Sequence, residues 1–460
     1  MSTGHYDAII IGAGPAGIFA ALELARLKPA LRLLVLERGK PIAQRSCPGR
    51  GQTCLGCSTC AIVTGWGGAG AFSDGKLTLS TEVGGWLGDY VGHDRLAGLV
   101  EDSDRVWLRF GATTEVHSPD QETAERLVHD ATLAGMRLVP MRIRHMGSDR
   151  SPAVLQAMYD HLVEIGVEVR TQTQVVRILE GDGAVCGVEL VDGSVVESPV
   201  VIAAPGRDGA DWLAAQARKL GLVLVNNAVD IGVRVEVPAP VMEPLTLPLY
   251  EAKLVRYSRR FNDQVRTFCM NPYGAVTTEN YGDIMTVNGH SYAEQRTGNT
   301  NFAVLVSQSF TEPFHEPITY GTSIARLANL LGEGILVQRL GDLRAGRRST
   351  VKRIAESLVE PTLRGATPGD LSFVLPYRHL VDIVEFIDAL DVLVPGVAAD
   401  ETLLYGIEVK FYSSRVQIGP DLQTQISGLY TIGDGAGVTR GLIQSGASGL
   451  VAARSVAQVF

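Results

Sequence analysis

The 460-residue sequence predicts an α/β fold, a parallel sheet extended by a β-meander and carrying an inserted β-rich domain, on three observations. The first is Asp7-Ala-Ile-Ile-Ile-Gly-Ala-Gly-Pro-Ala-Gly17, where Ala8 to Ile11 read as a strand buried on both faces. Gly12, Gly14 and Gly17 give the spacing G-x-G-x-x-G, and an apolar helix follows from about Ala16 to Leu27. The second is Leu31-Arg-Leu-Leu-Val-Leu-Glu37, a strand ending in an acid twenty residues after Gly17. The third is a change of character near Asn226, beyond which short alternating apolar stretches dominate. The first two define a Rossmann-like dinucleotide-binding unit. Gly12 makes the tight turn, Gly14 lets a pyrophosphate approach the backbone, and Gly17 lets helix and strand close up. Glu37 is placed to accept hydrogen bonds from a ribose diol, and the helix N-terminus offers N–H groups to the phosphates.

The other elements follow in chain order. Residues 81–149 are polar, with helical patches such as Asp120 to Leu133, and read as a helical insertion. Ser151-Pro152 marks a helix start by its cap and N1 proline, and the helix ends before Gly166. Val167 to Leu179 alternates as one strand. Hairpins through Gly181-Asp-Gly183 and Asp192-Gly193 make a three-stranded meander, which leads to a buried strand within Pro199 to Gly206. Ile231 to Val237 and Phe302 to Ser307 are strands of the β-rich domain, followed by helices near 320–332 and 376–391. The chain closes with Ser427-Gly-Leu-Tyr-Thr-Ile-Gly433-Asp434, a strand ending in Gly-Asp, and an apolar helix from about Leu442 to Val459. Asp434 can hold a polyol hydroxyl, and the helix behind it can stabilise negative charge. Residues 1–80, 150–225 and 410–460 therefore form the dinucleotide domain, and 226–409 the substrate domain. Tyr273, His290, Tyr292, His315 and Tyr412 are candidates for the substrate pocket.

Composition limits the partners. The formal charge of −9 leaves no basic stripe, which argues against nucleic acid. The apolar run 8–25 is broken by glycines, Pro15 and Glu23, so no membrane span is expected, and no basic n-region of a signal peptide precedes it. Six cysteines in a chain of this length do not suggest a disulfide scaffold, and the expected location is the cytoplasm.

Four of those cysteines fall in Cys47-Pro-Gly-Arg-Gly-Gln-Thr-Cys54-Leu-Gly-Cys57-Ser-Thr-Cys60, within a Gly/Pro-rich loop. Thiolates so spaced can hold iron–sulfur or zinc, although the usual fourth ferredoxin ligand with its trailing proline is absent. A redox disulfide is the second reading, and thiols that merely line the site the third. Cys54, Cys57 and Cys60 are thus redox candidates, and no metal ligand set is assigned. Gly65-Trp-Gly-Gly-Ala-Gly-Ala-Phe-Ser-Asp-Gly-Lys76 follows. Its glycines disfavour a helix or central strand and suit backbone lying against a flat ligand, with Ser73, Asp74 and Lys76 as polar contacts.

Taken together, the glycine turn with Glu37, Ala203-Ala-Pro-Gly206 and the closing G-L-Y-x-x-G-D resemble the glutathione-reductase-like superfamily of FAD proteins. The Cys loop, Gly65 to Lys76, Phe268-Cys-Met-Asn-Pro272, Thr286-Val-Asn-Gly-His290 and Asn299-Thr-Asn-Phe302 resemble, more narrowly, a bacterial family of FAD-dependent dehydrogenases. The resemblance implies FAD, with Glu37 on the adenosine ribose, Val175 near adenine and Asp434 on the ribityl chain. Further contacts are implied at Pro15, Ala16, Arg38, Gly67, Gly68, Ala69, Gly206, Gly433 and Ile443. The sequence departs from that family at Gly433-Asp-Gly-Ala-Gly-Val-Thr-Arg-Gly441, and Arg440 there suggests a specialised, anionic substrate.

No second G-x-G-x-x-G follows a strand, so NAD(P)H is expected only as an external donor without a domain of its own. The Gly-Asp-Ala-x-His-x-x-x-Pro pattern of flavin hydroxylases is missing, which disfavours a monooxygenase. The expected activity is transfer of a hydride or two electrons between flavin and a small organic substrate. A flavoprotein with a cysteine-based iron–sulfur or disulfide relay, and a non-catalytic flavin sensor or assembly protein, are the alternatives, and a redox partner protein is a candidate partner.

Overall fold

The structure, a computed structural model, describes residues 4–48, 57, 59–73, 75–281, 284–291, 296–310, 313–314, 316–411 and 414–460. Five strands form one parallel sheet in the order Leu429–Thr431, Val201–Ala203, Ala8–Ile11, Leu33–Leu36, Glu168–Arg170. Ala8–Ile11 and Leu33–Leu36 are buried at every residue, which is why they carry no alternation. Full burial of Ile9, Ile10 and Leu34 contributes roughly 1.5–3 kcal/mol each. The Pro15–Leu27 and Leu442–Val459 helices pack on each other through glycine. A Cβ on Gly449 would strike the Ala16 carbonyl oxygen, and one on Gly446 would lie 2.7 Å from Phe19 Cδ1. The meander is Val175–Gly181, Ala184–Leu190 and Val195–Glu197, antiparallel throughout.

The chain divides into two compact units, one of residues 1–116, 142–227 and 413–460, the other of 117–141 and 228–412. The α/β architecture, with its Rossmann-like sheet and an inserted β-rich part, is the one the sequence predicts. Three local expectations are corrected. The stretch 167–179 is two strands in two sheets, Glu168–Arg170 and Val175–Gly181. The break lies where the Gln172 and Thr173 N–H groups donate to the carbonyls of Gly39 and Glu37, at 2.8 and 2.9 Å, which draws the chain off the sheet edge. The helix expected from Ser151 spans Gly147–Glu164, so Pro152 lies inside it. Residues 81–149 are divided between the units instead of forming an insertion of their own. The His93–Arg109 helix buries Leu96, Leu99, Val100, Ser103 and Trp107 in the first unit, with Trp107 5.5 Å from the Phe19 ring. Gln121–Leu133 and Arg137–Val139 belong to the second.

The second unit is built on an eight-stranded sheet whose centre is Val229–Pro238, antiparallel to Asn299–Gln308 on one side and Leu403–Lys410 on the other. Period-2 patterning separates its faces. Ile231, Val233, Val235 and Val237 join one core with Ile383, Phe386, Ile387 and Leu390 of the Tyr377–Leu393 helix. Asp230, Arg234 and Glu236 alternate with them on the other face. Among the described residues no helix is long and apolar enough to cross a membrane.

Candidate cofactor site

The glycine turn is fixed by its own chain. Gly12 sits at φ +96°, and a Cβ there would strike the Ala204 carbonyl oxygen. A Cβ on Gly17 would strike the Gly12 carbonyl oxygen. Gly14 differs: it is extended (φ −78°, ψ 179°), and the nearest atom to an added Cβ is Gly68 Cα at 4.0 Å. The Pro15–Leu27 helix starts beyond it with no side-chain cap. Glu37 is 6% exposed, and its carboxylate accepts from the Ala13 N–H at 2.9 Å and the Gly39 N–H at 2.8 Å, one per oxygen. Each oxygen keeps a lone pair for a further donor.

The second glycine stretch lies against the first. The Gly67 N–H donates to the Ala13 carbonyl at 2.7 Å, and a Cβ on Gly68 would come within 3.1 Å of Gly14 Cα. Gly68–Phe72, including Ala69, forms a short 3-10 turn, contrary to the expectation of no helix. Its neighbours explain the glycines. A Cβ on Gly70 would strike Leu442 Cδ2, and one on Gly67 would lie 2.5 Å from Leu155 Cδ1. Their first task is close approach within the protein. Arg45, which sequence reasoning passed over, holds this stretch from inside. It is 5% exposed and donates to the carbonyls of Ala61, Ile62, Trp66 and Gly68 at 2.6–3.0 Å. Burial lowers its pKa to about 10 against the pull of Glu37 and Cys60.

The ends of two further strands close the ring. Gly433 (φ +77°) lies over the first helical turn, where an added Cβ would be 2.9 Å from Ala16 Cβ, and its N–H donates to Ser448 Oγ at 3.2 Å. Gly206 (φ +68°) has open space beyond it, while a Cβ on Gly435 would strike its carbonyl oxygen. Asp434 accepts from Thr439 Oγ1 at 3.0 Å. Burial pushes its carboxyl above the usual range, opposed by Arg207 and Arg440. The Leu442–Val459 helix begins at Gly441 without a side-chain cap. Ile443 is buried, and its carbonyl accepts from Ser103 Oγ at 2.9 Å. Gly12, Gly14, Pro15, Ala16, Gly17, Gly68 and Gly433 are thus brought together at one helix terminus.

Other candidates stand around this turn. Arg38 is paired with Asp208 and lies 3.4 Å from Thr64 Oγ1. Val175 is buried two residues beyond Thr173, whose N–H bonds the Glu37 carbonyl. Lys76 opens the Lys76–Thr78 strand, opposite His145. Cys47, Cys57 and Cys60 are free thiols. Among the described residues no group of three or more His, Cys, Asp or Glu could hold a metal. Asp74 and Cys54 lie outside the described residues, as do Tyr292, His315 and Tyr412.

In the second unit, three stretches noted in the sequence meet at Arg234. Its guanidinium bonds Glu408 twice at 2.7 Å, and it donates to the Cys269 carbonyl and Asn301 Oδ1, both at 3.0 Å, and to Asn288 Oδ1 at 3.4 Å. A Cβ on Gly289 would strike Arg234, Asn271 and Asn301, so glycine lets the Ile284–His290 strand close on this group. Lys410 reaches Glu408 and Glu279 at 3.3 and 3.2 Å. Tyr273 donates to Glu243 Oε1 at 2.5 Å, and that bond raises its phenol pKa; His290 is exposed.

A separate pair sits on the Tyr377–Leu393 helix. Burial lowers the pKa of His379 to about 4, and neither ring nitrogen has a partner among the described residues. Burial also raises Asp382 to about 6, with Asp263 adding to the rise and Ser258 and Arg378 opposing it. The neutral histidine contributes stability that is lost as pH falls from 6.5 toward 4. The protonated aspartate contributes stability that is lost as pH rises from 3.8 toward 6. These slopes oppose, so the pair's two contributions largely offset each other across that window. Asp382→Asn removes the opposing slope of this pair, and unfolding titrations should show stability rising with pH between 4 and 6.5 more steeply than in the wild type. A flat profile in the variant contradicts the burial of His379.

Comparison with known proteins adds to this geometry. Residues 229–411 match the family described as FAD-dependent protein, C-terminal domain-like. The chain is 26% identical to an uncharacterized protein of Clostridium beijerinckii over 98% of its own length and 81% of that protein's. It is 29% identical to protein FixC of Escherichia coli K12 over 53% of this chain, and the match spans only 46% of FixC. Among solved structures it is similar to a 3-ketosteroid-Δ4-(5α)-dehydrogenase of Rhodococcus jostii RHA1, with TM-score 0.45 and 13% identity over 98% of this chain and 97% of that one. Escherichia coli quinol fumarate reductase FrdA overlaps with TM-score 0.44 and 13% identity over 100% of this chain and 71% of that one. Overlaps of that size say nothing of substrate. The parallel sheet and the glycine turn closed by Glu37 give the first unit a Rossmann-like dinucleotide-binding fold, and the second unit carries the match to the FAD-dependent C-terminal domain family.

Proposed function

We propose that this protein is an FAD-dependent oxidoreductase moving two electrons between a non-covalently held FAD and a small organic substrate. One observation carries the reading: Gly14 leaves an open cradle at an uncapped helix N-terminus, while the protein itself fills the space at its motif partners Gly12 and Gly17. N–H groups of the Pro15–Leu27 helix hold the pyrophosphate there. The lone pairs left on Glu37 accept from the adenosine ribose, Val175 covers adenine, and Asp434 holds a ribityl hydroxyl. The Leu442–Val459 N-terminus favours negative charge at the pyrimidine edge. When bound, FAD supplies the two-electron chemistry. In the second unit Tyr273 and the exposed His290 are the described residues offered to the substrate.

The purified protein should show flavin absorption bands, and acid should release all the flavin as FAD. NADPH should reduce it only at high concentration or through a separate reductase, since no second glycine motif is present. A colourless protein that takes up no FAD contradicts the proposal. Glu37→Ala should cost the apoprotein about 1.5–3 kcal/mol, because two N–H groups lose a charged acceptor, and should also weaken FAD binding. Unchanged FAD affinity in that variant, measured by titration, removes Glu37 from the site.

A further inference from the structure

Gln444 is the third residue of the Leu442–Val459 helix and is 1% exposed. Its Nε2 donates to the Val83 carbonyl at 2.9 Å and approaches the Ser80 carbonyl at 3.5 Å, which sets the orientation of the amide. Gly84, at φ +124°, closes the space behind it: a Cβ there would lie 2.7 Å from Gln444 Cδ. The loop is laced to the same turn, for the Trp86 N–H donates to the Val438 carbonyl at 2.8 Å and the Arg440 N–H to the Gly84 carbonyl at 2.6 Å. The amide is therefore held in one position. Its Oε1 is buried and has no hydrogen-bond partner among the described residues. A glutamine three residues past the N-cap can fold back to accept the N-cap N–H, and here that bond is not made. Buried acceptors are rarely left this way, and the missing partner is a donor.

We propose that Gln444 Oε1 accepts a hydrogen bond from the imide N–H, N3, of the flavin ring. This rests on the FAD reading above, which puts the pyrimidine edge at this helix N-terminus. That edge carries one N–H between two carbonyls. The uncapped helix N–H groups suit the carbonyls, and the fixed glutamine oxygen suits the N–H. Through Nε2 the same side chain ties the 80–86 loop to the bound cofactor.

The test compares FAD with N3-methyl-FAD, which lacks the donor. Apoprotein should prefer FAD by about tenfold or more. Gln444→Leu should bind FAD more weakly and lose that preference to within about twofold. Equal affinity of the wild type for both flavins, or the same preference in both proteins, overturns the assignment while leaving FAD binding intact. Failure of the wild type to bind either flavin overturns the FAD reading with it. Should the leucine variant not fold, wild-type protein loaded with FAD labelled with 15N at N3 decides the matter. A slowly exchanging N3–H resonance is expected, and one that exchanges as fast as in free FAD overturns the proposal.

Discussion

Arg234→Ala is expected to cost about 3–5 kcal/mol, because it strips a buried carboxylate of its charged partner. Arg234 and Glu408 are both 0% exposed and face each other in a two-pronged pair. With the guanidinium gone, the Cys269 carbonyl and Asn301 Oδ1 also lose a donor. Lys410 is 3.3 Å from Glu408 Oε1 and offsets part of the charge, not the geometry. The pair is expensive to break more than it is favourable to have. Arg234→Met combined with Glu408→Leu should therefore recover much of the loss. Urea unfolding of the three proteins checks this. A single-variant cost under about 1 kcal/mol would show that the network does not hold the sheet face together.

The dinucleotide turn was legible because its requirements are local. Gly12 needs positive φ and Gly17 a missing Cβ within a few residues of one another, so spacing alone reports them. The meander was legible for the same reason, through its two glycine turns. Arg45, Gln444 and Arg234 were not. Their partners lie 21, 361 and 174 residues away, at Trp66, Val83 and Glu408, and nothing in their own neighbourhoods marks them. The break at 171–174 is not legible in the sequence because it depends on carbonyls of Glu37 and Gly39, not on the alternation of 167–179. The glycines of 65–70 suit backbone against a ligand, and in the structure Gly67 and Gly70 also make room for Leu155 and Leu442. A glycine's need for space is visible in sequence, but what fills the space is not. His93–Arg109 could have been found, since Leu96, Leu99, Val100, Ser103 and Trp107 keep helical spacing.

Gly14→Ala separates the cofactor from the fold. The residue is already extended, and a methyl group there meets no protein atom nearer than 4.0 Å. Stability should stay within about 0.5 kcal/mol of wild type. The same methyl would occupy the cradle where the pyrophosphate approaches the backbone, so FAD affinity should fall at least about tenfold. Gly12→Ala is the control, since its φ and the Ala204 carbonyl make the fold itself suffer. The direct measurement is an FAD titration of apo wild type and apo Gly14→Ala, paired with their unfolding curves. The expected result is matched unfolding with FAD binding tight in one and at least tenfold weaker in the other; equal FAD affinity in the two proteins would contradict the site.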